Sequence, residues 1–321
     1  MSQHDEPRAI SPWRTQFLVE HKLPDAYLET ARRFFDPLAA LLANDVHRPG
    51  VAVLVGLNGS QGSGKSTLCD YLCEALRNDH DLKAVALSLD DFYLTRAERQ
   101  ALASDVHPLL ATRGVPGTHD IDLLRQTLHA LRTSEGNAQG NAKESAKESA
   151  KGDVAVPRFD KAVDDRAAPE HWTRVEAPVD IVLLEGWCLG ARSEDTAQLQ
   201  VPTNALERDE DADGAWRGYI NRALRDAYES LYDDIDFWLM LAAPGFEHVL
   251  SWRSEQEAKL RSKRADAGKG LMNDQQLRRF VAHFERHTKQ CMEHLPQTVD
   301  VLYRLDESRR IVSVRGPDGL S

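Results

Sequence analysis

One segment limits the possible architectures of this chain more than any other. A continuous apolar run, residues 51–57, leads almost directly into Gly59-Ser60-Gln61-Gly62-Ser63-Gly64-Lys65-Ser66, and a stretch with Leu68, Leu72, Ala75 and Leu76 on one helical face follows at once. The apolar run is strand-sized and the later period is helical, so a buried strand, a tight loop and a helix over 65–77 are predicted in that order. The octapeptide fits G-x-x-x-x-G-K-[ST], and the flanking strand and helix are the context that separates such a motif from a chance glycine-rich turn. Glycines let the backbone wrap closely around phosphate oxygens and turn successive N–H groups inward. The helix start adds its positive end. In this arrangement Lys65 reaches the outer phosphates, the Ser66 hydroxyl ligates magnesium, and Thr67 helps to fix the helix start.

The rest of the chain repeats the alternation. Further strands are expected over 83–89, 180–184 and 235–241, with edge strands over 298–305 and 309–314, separated by amphipathic stretches. That order implies an α/β fold: a mostly parallel sheet with helices on both faces. Residues 1–50 form an N-terminal helical extension to a domain spanning 51–321. From Pro24-Asp25, apolar residues recur at helical spacing through Tyr27, Leu28, Ala31, Phe34, Phe35, Leu38, Leu41 and Leu42, with Pro37 predicted to kink or split the helix.

Composition narrows the class. With 41 % apolar residues the chain can bury a sizeable core, and a net charge of −11 repels nucleic acid and anionic membrane as partners. No apolar run approaches the roughly 20 residues that cross a bilayer. The opening residues lack the basic and apolar segments of a signal peptide. Four scattered cysteines make no disulfide framework, and the expected compartment is the cytoplasm. Residues 134–152 carry a short Ala-Lys-Glu-Ser repeat without a bulky apolar side chain, and are expected to form a mobile surface insertion.

Acidic residues fall where ligands of an open parallel sheet bind, beyond the carboxyl ends of its strands. Asp90 and Asp91 follow the second strand. A carboxylate there takes a substrate hydroxyl proton or orients a magnesium-bound water, while Asp91 either shares that site or caps the next segment. Glu185 ends the apolar run 181–184, and burial of an acid there points to a nearby cation. Arg113 precedes a helix whose cap is Thr118 or Asp120, and Arg158 and Lys161 flank Phe159 in a second charged loop. These residues either bind an anion or are solvated loop charges. The stretch 252–261 is basic and amphipathic, as a lid over phosphates requires or as an exposed salt-bridged helix also shows. His283, His287, Cys291 and His294 share one helical face, and a polar surface is preferred over zinc because one straight helix cannot surround a metal.

Together the segments "LDDFYLT", "RGVPGTHD", "PRFDKAVDDR", "EGWCLG" and "WRSEQEAKLR" resemble the phosphoribulokinase/uridine kinase/pantothenate kinase superfamily of P-loop proteins, and within it the D-glycerate 3-kinase group. The resemblance spans roughly residues 15–305, the insertion apart. It implies a P-loop NTPase fold with a helical lid and following helices over 245–296, using ATP and Mg²⁺ on a small, anionic, hydroxyl-bearing acceptor. By the same resemblance Asp90 is the catalytic base and belongs to the magnesium shell with Ser66 and Glu185. Lys65, Arg253 and Arg261 act on the phosphates, the backbone of Gly59, Ser60, Gln61, Gly62, Ser63 and Gly64 holds them, and Asp91, Tyr93, Arg113, Asp120, Arg158 and Lys161 meet the acceptor. A nucleoside or vitamin kinase of the superfamily is the near alternative. A nucleotide-dependent switch or metallochaperone is the distant one, and the chain has no Asn-Lys-x-Asp string of the kind GTP switches use.

Because residues 134–152 lack core-forming side chains, replacing them by a short linker is expected to leave the thermal midpoint within a few degrees of wild type. Differential scanning calorimetry of the deletion variant measures this; a larger drop would mean that the segment packs.

Overall fold

The computed structural model describes residues 11–45, 52–133, 152–263 and 273–320, with side chains throughout these except at 45 and 256–263. Most of the insertion expected over 134–152 therefore lies outside the described residues. Helices α1 (Pro12–His21), α2 (Tyr27–Thr30) and α3 (Asp36–Asp45) precede β1 (Val53–Gly59) and α4 (Lys65–His80). Then come β2 (Ala84–Ser88), α5 (Arg96–Asp105) and α6 (Ile121–Arg132). Three short strands, β3 (Asp153–Val156), β4 (Phe159–Asp160) and β5 (Asp165–Arg166), lead to β6 (Thr173–Glu176) and β7 (Ile181–Gly186). Four short helices follow: α7 (Thr196–Gln200), α8 (Ala205–Glu210), α9 (Ala215–Ala223) and α10 (Glu229–Tyr232). The last part holds β8 (Phe237–Ala242), α11 (Phe246–Lys263), α12 (Asp274–Ala282), α13 (Glu285–His294), β9 (Val301–Leu305) and β10 (Ile311–Arg315).

Six strands form the main sheet in the order β10-β9-β8-β1-β7-β2, parallel except for the β9–β10 hairpin. Side chains alternate between its faces, as strand geometry requires. Val53, Val55 and Leu57 of β1, Ile181 and Leu183 of β7, and Leu239 and Leu241 of β8 enter one core, with α4 and the N-terminal helices. Leu54, Val182, Leu184 and Met240 enter the other, beneath α6, α9 and α13. The continuous apolar runs in the sequence are the signature of strands buried on both faces.

Register is fixed at the amino-terminal ends of the strands by three aspartates. Asp180, Asp236 and Asp300 each stand immediately before a strand, and each accepts a backbone N–H from the neighbouring strand or its lead-in: Lys83 at 2.7 Å, Leu54 at 2.9 Å and Trp238 at 2.7 Å. A slip by one residue would break these bonds and invert every side chain between the two cores.

The helix α4 is longer than the predicted 65–77 and is covered on two sides. Leu68, Leu72, Ala75 and Leu76 are buried as expected, and so are Tyr71, Cys69 and Cys73, because the N-terminal helices pack over it. Tyr71 donates to Asp36 at 2.7 Å, Arg14 pairs with Asp36 and Asp79, and Phe17 meets the Tyr71 ring edge-on at 5.3 Å. The break expected at Pro37 takes the form of a π-helical turn, Ala31–Phe35, directly before it. Proline offers no N–H to the preceding turn, and a widened turn is one of the usual ways a helix absorbs that loss. The edge strands begin two to three residues later than expected, because Asp300 and Asp306 are engaged in backbone contacts rather than ladder positions. No helix among the described residues is long and apolar enough to cross a membrane.

Asp236 also accepts from Arg132 at 3.0 Å. Asp236→Ala leaves the Leu54 amide and the guanidinium without this acceptor, and is expected to cost about 1–3 kcal/mol in urea unfolding. The KM for ATP should stay within about twofold, since the residue lies at the end of the sheet remote from the cleft described next.

Candidate active site

The loops after β1, β2 and β7 converge on one cleft of about 560 Å³. Its floor is the octapeptide motif. Gly62 and Gly64 take φ of 82° and 97°, conformations that glycine adopts without a Cβ penalty, and they turn the chain from the strand into α4. Gly64 is the N-cap of α4 and offers no side chain to cap it, so the first-turn N–H groups stay available. Ser60 Oγ, Ser63 Oγ and Gln61 Oε1 are buried without hydrogen-bond partners. The Ser60 and Ser63 hydroxyls, stranded in a loop that opens a helix, can donate to an oxyanion of phosphate type, and with the backbone N–H groups at the helix start they fit a nucleotide phosphate chain. Lys65, almost fully buried, donates to the Ser60 carbonyl at 3.1 Å and lies 3.8 Å from Glu185.

Glu185 is inside β7 rather than past its end, paired in register with Leu57 and Ser88. Its Oε1 accepts from Ser66 and from Ser88, both at 2.9 Å. Ser88 was not singled out by sequence reasoning; as the last residue of β2 it becomes relevant only once β2 lies beside β7. Among the described residues no group of three or more His, Cys, Asp or Glu side chains is placed to hold a metal by itself. Ser66 and Glu185 do provide hard oxygen donors beside the phosphate loop. That set fits Mg²⁺, which commonly takes one or two protein oxygens and completes its shell with phosphate and water.

Opposite the loop, a 3₁₀ turn over Leu89–Phe92 carries Asp90 and Asp91 into the cleft. Lys161 donates to Asp90 at 2.7 Å. Burial works against ionisation of the Asp90 carboxyl, but the Lys161 ammonium and hydrogen bonds from Lys161 and Tyr93 outweigh it and hold the group down at about 2. The Tyr93 phenol is pushed far up, by burial first and then by the Asp90 charge. Asp91 caps nothing here: it accepts from Arg158 at 2.7 Å and from the Phe159 amide at 3.1 Å, and so ties down the β4–β5 hairpin. Arg113 pairs with Asp164 and lies 5.5 Å from the centre of the Phe159 ring. The charged segment 157–166 is thus a folded hairpin rather than a solvated loop. Arg99, fully buried, reinforces it through the Asp164 carbonyl at 2.7 Å.

Asp90, Asp91, Tyr93, Arg113, Arg158 and Lys161 all line the cleft. Asp120 is not among its lining residues. It caps α6 by accepting from Leu123 at 3.0 Å and pairs with Arg166, also at 3.0 Å, so its carboxylate is engaged in structure outside the cleft lining. Arg253 of α11 reaches the cleft and lies 5.8 Å from the centre of Phe280, which forms a wall with Phe284 and Trp187. The Arg261 side chain lies outside the described residues. Of the face bearing His283, His287, Cys291 and His294 only His294 is exposed; the other three side chains are buried, and the helix is interrupted between α12 and α13. Burial holds the His283 and His287 rings down at about 4, hence neutral.

No model of a known protein family matches the chain. Individual relatives do. An uncharacterized kinase of Schizosaccharomyces pombe is 31 % identical over 256 residues, which cover 78 % of this chain and 84 % of that protein. A chloroplastic D-glycerate 3-kinase of Arabidopsis thaliana is 30 % identical over 72 % of this chain but only 46 % of its own, longer sequence. Among solved structures, D-glycerate 3-kinase from Cryptococcus neoformans superposes with a TM-score of 0.68 at 25 % identity, covering 91 % of this chain and 99 % of that one. The strand order, the phosphate loop at the end of β1 and these relatives agree: the chain is an ATP-dependent phosphotransferase belonging to the D-glycerate 3-kinase-like group of P-loop kinases.

Proposed function

We propose that the acceptor is a small hydroxy acid, with D-glycerate phosphorylated to 3-phosphoglycerate as the best fit. The observation that carries this reading is the convergence of Arg113, Arg158 and Lys161 beside Asp90, across the cleft from the phosphate loop. Three cations within one wall are suited to a carboxylate, and guanidinium groups bind carboxylates through paired N–H donors. An uncharged acceptor would leave those cations with only their internal partners. The D-glycerate 3-kinases among the relatives support the choice.

In this reading Lys65, the backbone of residues 59–64 and the N-terminus of α4 hold the β- and γ-phosphates of ATP. Magnesium, when bound, supplies charge neutralisation on those phosphates, and Ser66 and Glu185 are the residues that would hold it. Asp90 accepts a hydrogen bond from the acceptor hydroxyl and aims its oxygen at the γ-phosphorus. As the new P–O bond forms and the bridge to the β-phosphate breaks, the hydroxyl proton passes to the Asp90 carboxylate. A group held at about 2 is ionised throughout the neutral range, so it is always ready to accept, and its main contribution is orientation in a loose transition state. Arg253 approaches the transferring group from the lid.

A coupled assay for ADP release with D-glycerate, nucleosides, pantothenate and sugars as acceptors tests the substrate. Strong stimulation by D-glycerate alone is expected; preference for a nucleoside would overturn the reading, and indifference to every acceptor would favour a switch.

The two neighbouring aspartates are predicted to behave differently. Asp90→Asn should lower kcat by about 10²–10⁴-fold with little change in ATP affinity. Asp91→Asn should chiefly raise the KM of the acid, since it loosens Arg158. Steady-state kinetics that found Asp91→Asn the more damaging in kcat would exchange the two roles. Because the Asp90 carboxyl is depressed, its stabilising contribution is complete above its ordinary value near 4 and fades as pH falls toward about 2. The kcat/KM profile should accordingly show no acidic limb from this group between pH 5 and 7.

A further inference from the structure

The turn between β9 and β10 touches both the phosphate loop and the lid helix. Asp306 closes it, donating its N–H to the Arg310 carbonyl at 2.9 Å and accepting from the amides of Ser308 and Arg310 at 2.8 and 2.9 Å. Within this turn Arg309 takes φ of 67°. Left-handed backbone in a tight hairpin favours glycine, asparagine or aspartate, and a long side chain there is held at a conformational cost. An outlier of this kind is a reason to look for function.

The Arg309 side chain does three things from that position. Its Nε donates to the Gly62 carbonyl of the phosphate loop at 2.9 Å. Its Nη2 donates to Glu255 of α11 at 2.8 Å. Its guanidinium lies 5.1 Å from the centre of the Trp252 ring, and the Trp252 indole in turn donates to the Glu307 carbonyl of the same turn at 2.8 Å. One planar fork therefore joins the loop that wraps the phosphates to the helix that carries Arg253.

We infer that Arg309 is a positioning residue that couples the lid helix to the phosphate loop and sets the loop for ATP. The inference rests on the reading of residues 59–66 as the ATP phosphate loop. Gly62, at positive φ, has a carbonyl that is free to turn unless it is held, and Arg309 holds it. The bond to Glu255 fixes the guanidinium plane, so a shift of α11 is transmitted to the loop. Lysine has a single ammonium in place of the fork and does not reproduce both contacts in one plane.

Arg309→Gly is the informative variant because glycine suits the backbone at this site. Its thermal midpoint should equal or exceed that of wild type, while the KM for ATP rises about tenfold, the loss expected from one hydrogen bond of a charged group. The KM for the acceptor should stay unchanged, and Arg309→Lys should recover little. Glu255→Gln, on the exposed side of the lid helix, should raise the KM for ATP in the same direction and add little further in the Arg309→Gly background. An unchanged KM for ATP in either single variant overturns the inference. Lys65→Ala, assayed in parallel, separates the two readings. If it loses transfer while Arg309→Gly behaves as wild type, only the coupling role fails; if Lys65→Ala keeps full activity, the phosphate-loop reading fails with it.

Discussion

A carboxylate buried in the middle of a parallel sheet is the constraint around which this molecule is arranged. Glu185 sits on β7, a strand covered on both faces, where an unpartnered charge would be prohibitively expensive. Its partners are drawn from both flanking segments: Ser66 from the first turn of α4, Ser88 from the end of β2, and Lys65 at salt-bridge distance. Satisfying one acid therefore fixes the helix after the phosphate loop against two strands. Net stabilisation from such a buried cluster is modest, but losing one partner strands the charge, which makes the arrangement specific.

The N-terminal helices extend that logic outward. They cover the side of α4 that the sheet cannot reach, and Arg14 and Tyr71 connect α1, α3 and α4 through Asp36 and Asp79. The helix whose first residue is Lys65 is thereby gripped along its length. Preorganised donors at its start need no rearrangement when a phosphate chain arrives, and that preorganisation is the form electrostatic stabilisation takes in phosphoryl transfer.

Much of this was legible in the sequence, for identifiable reasons. The strand–loop–helix from residue 53 to 80 could be read because burial on both faces leaves an uninterrupted apolar run and because the loop needs glycine at particular positions. Asp90 could be picked out by its place after a strand, and Arg113, Arg158 and Lys161 as charges in loops, and the fold brings them to one cleft. What could not be read were pairings. Asp120 was grouped with the acceptor residues although its aspartate-before-helix position was equally that of a cap, and its partner Arg166 lies 46 positions away in sequence. Ser88 and Arg309 gain their roles only when β2 meets β7 and when the β9–β10 turn meets residue 62. The burial of His283 and His287 could not be read either, because periodicity reveals which residues share a side, not which way that side turns.

The three aspartates at the amino-terminal ends of the strands have a consequence for how such a protein can diverge. They anchor the sheet at the end opposite the cleft, through bonds to main-chain atoms that do not depend on the neighbouring side chain's identity. The frame is thus indexed from below, and the charged wall of the cleft is assembled above it from a short turn and a hairpin. If Arg113, Arg158 and Lys161 meet the acceptor as proposed, exchanging them would alter what the wall recognises without disturbing the alignment of β1, β7 and β8. A scaffold built this way separates the parts that must stay in register from the parts that select a ligand, and new acceptors become reachable through local changes while the phosphate-handling floor is left as it stands.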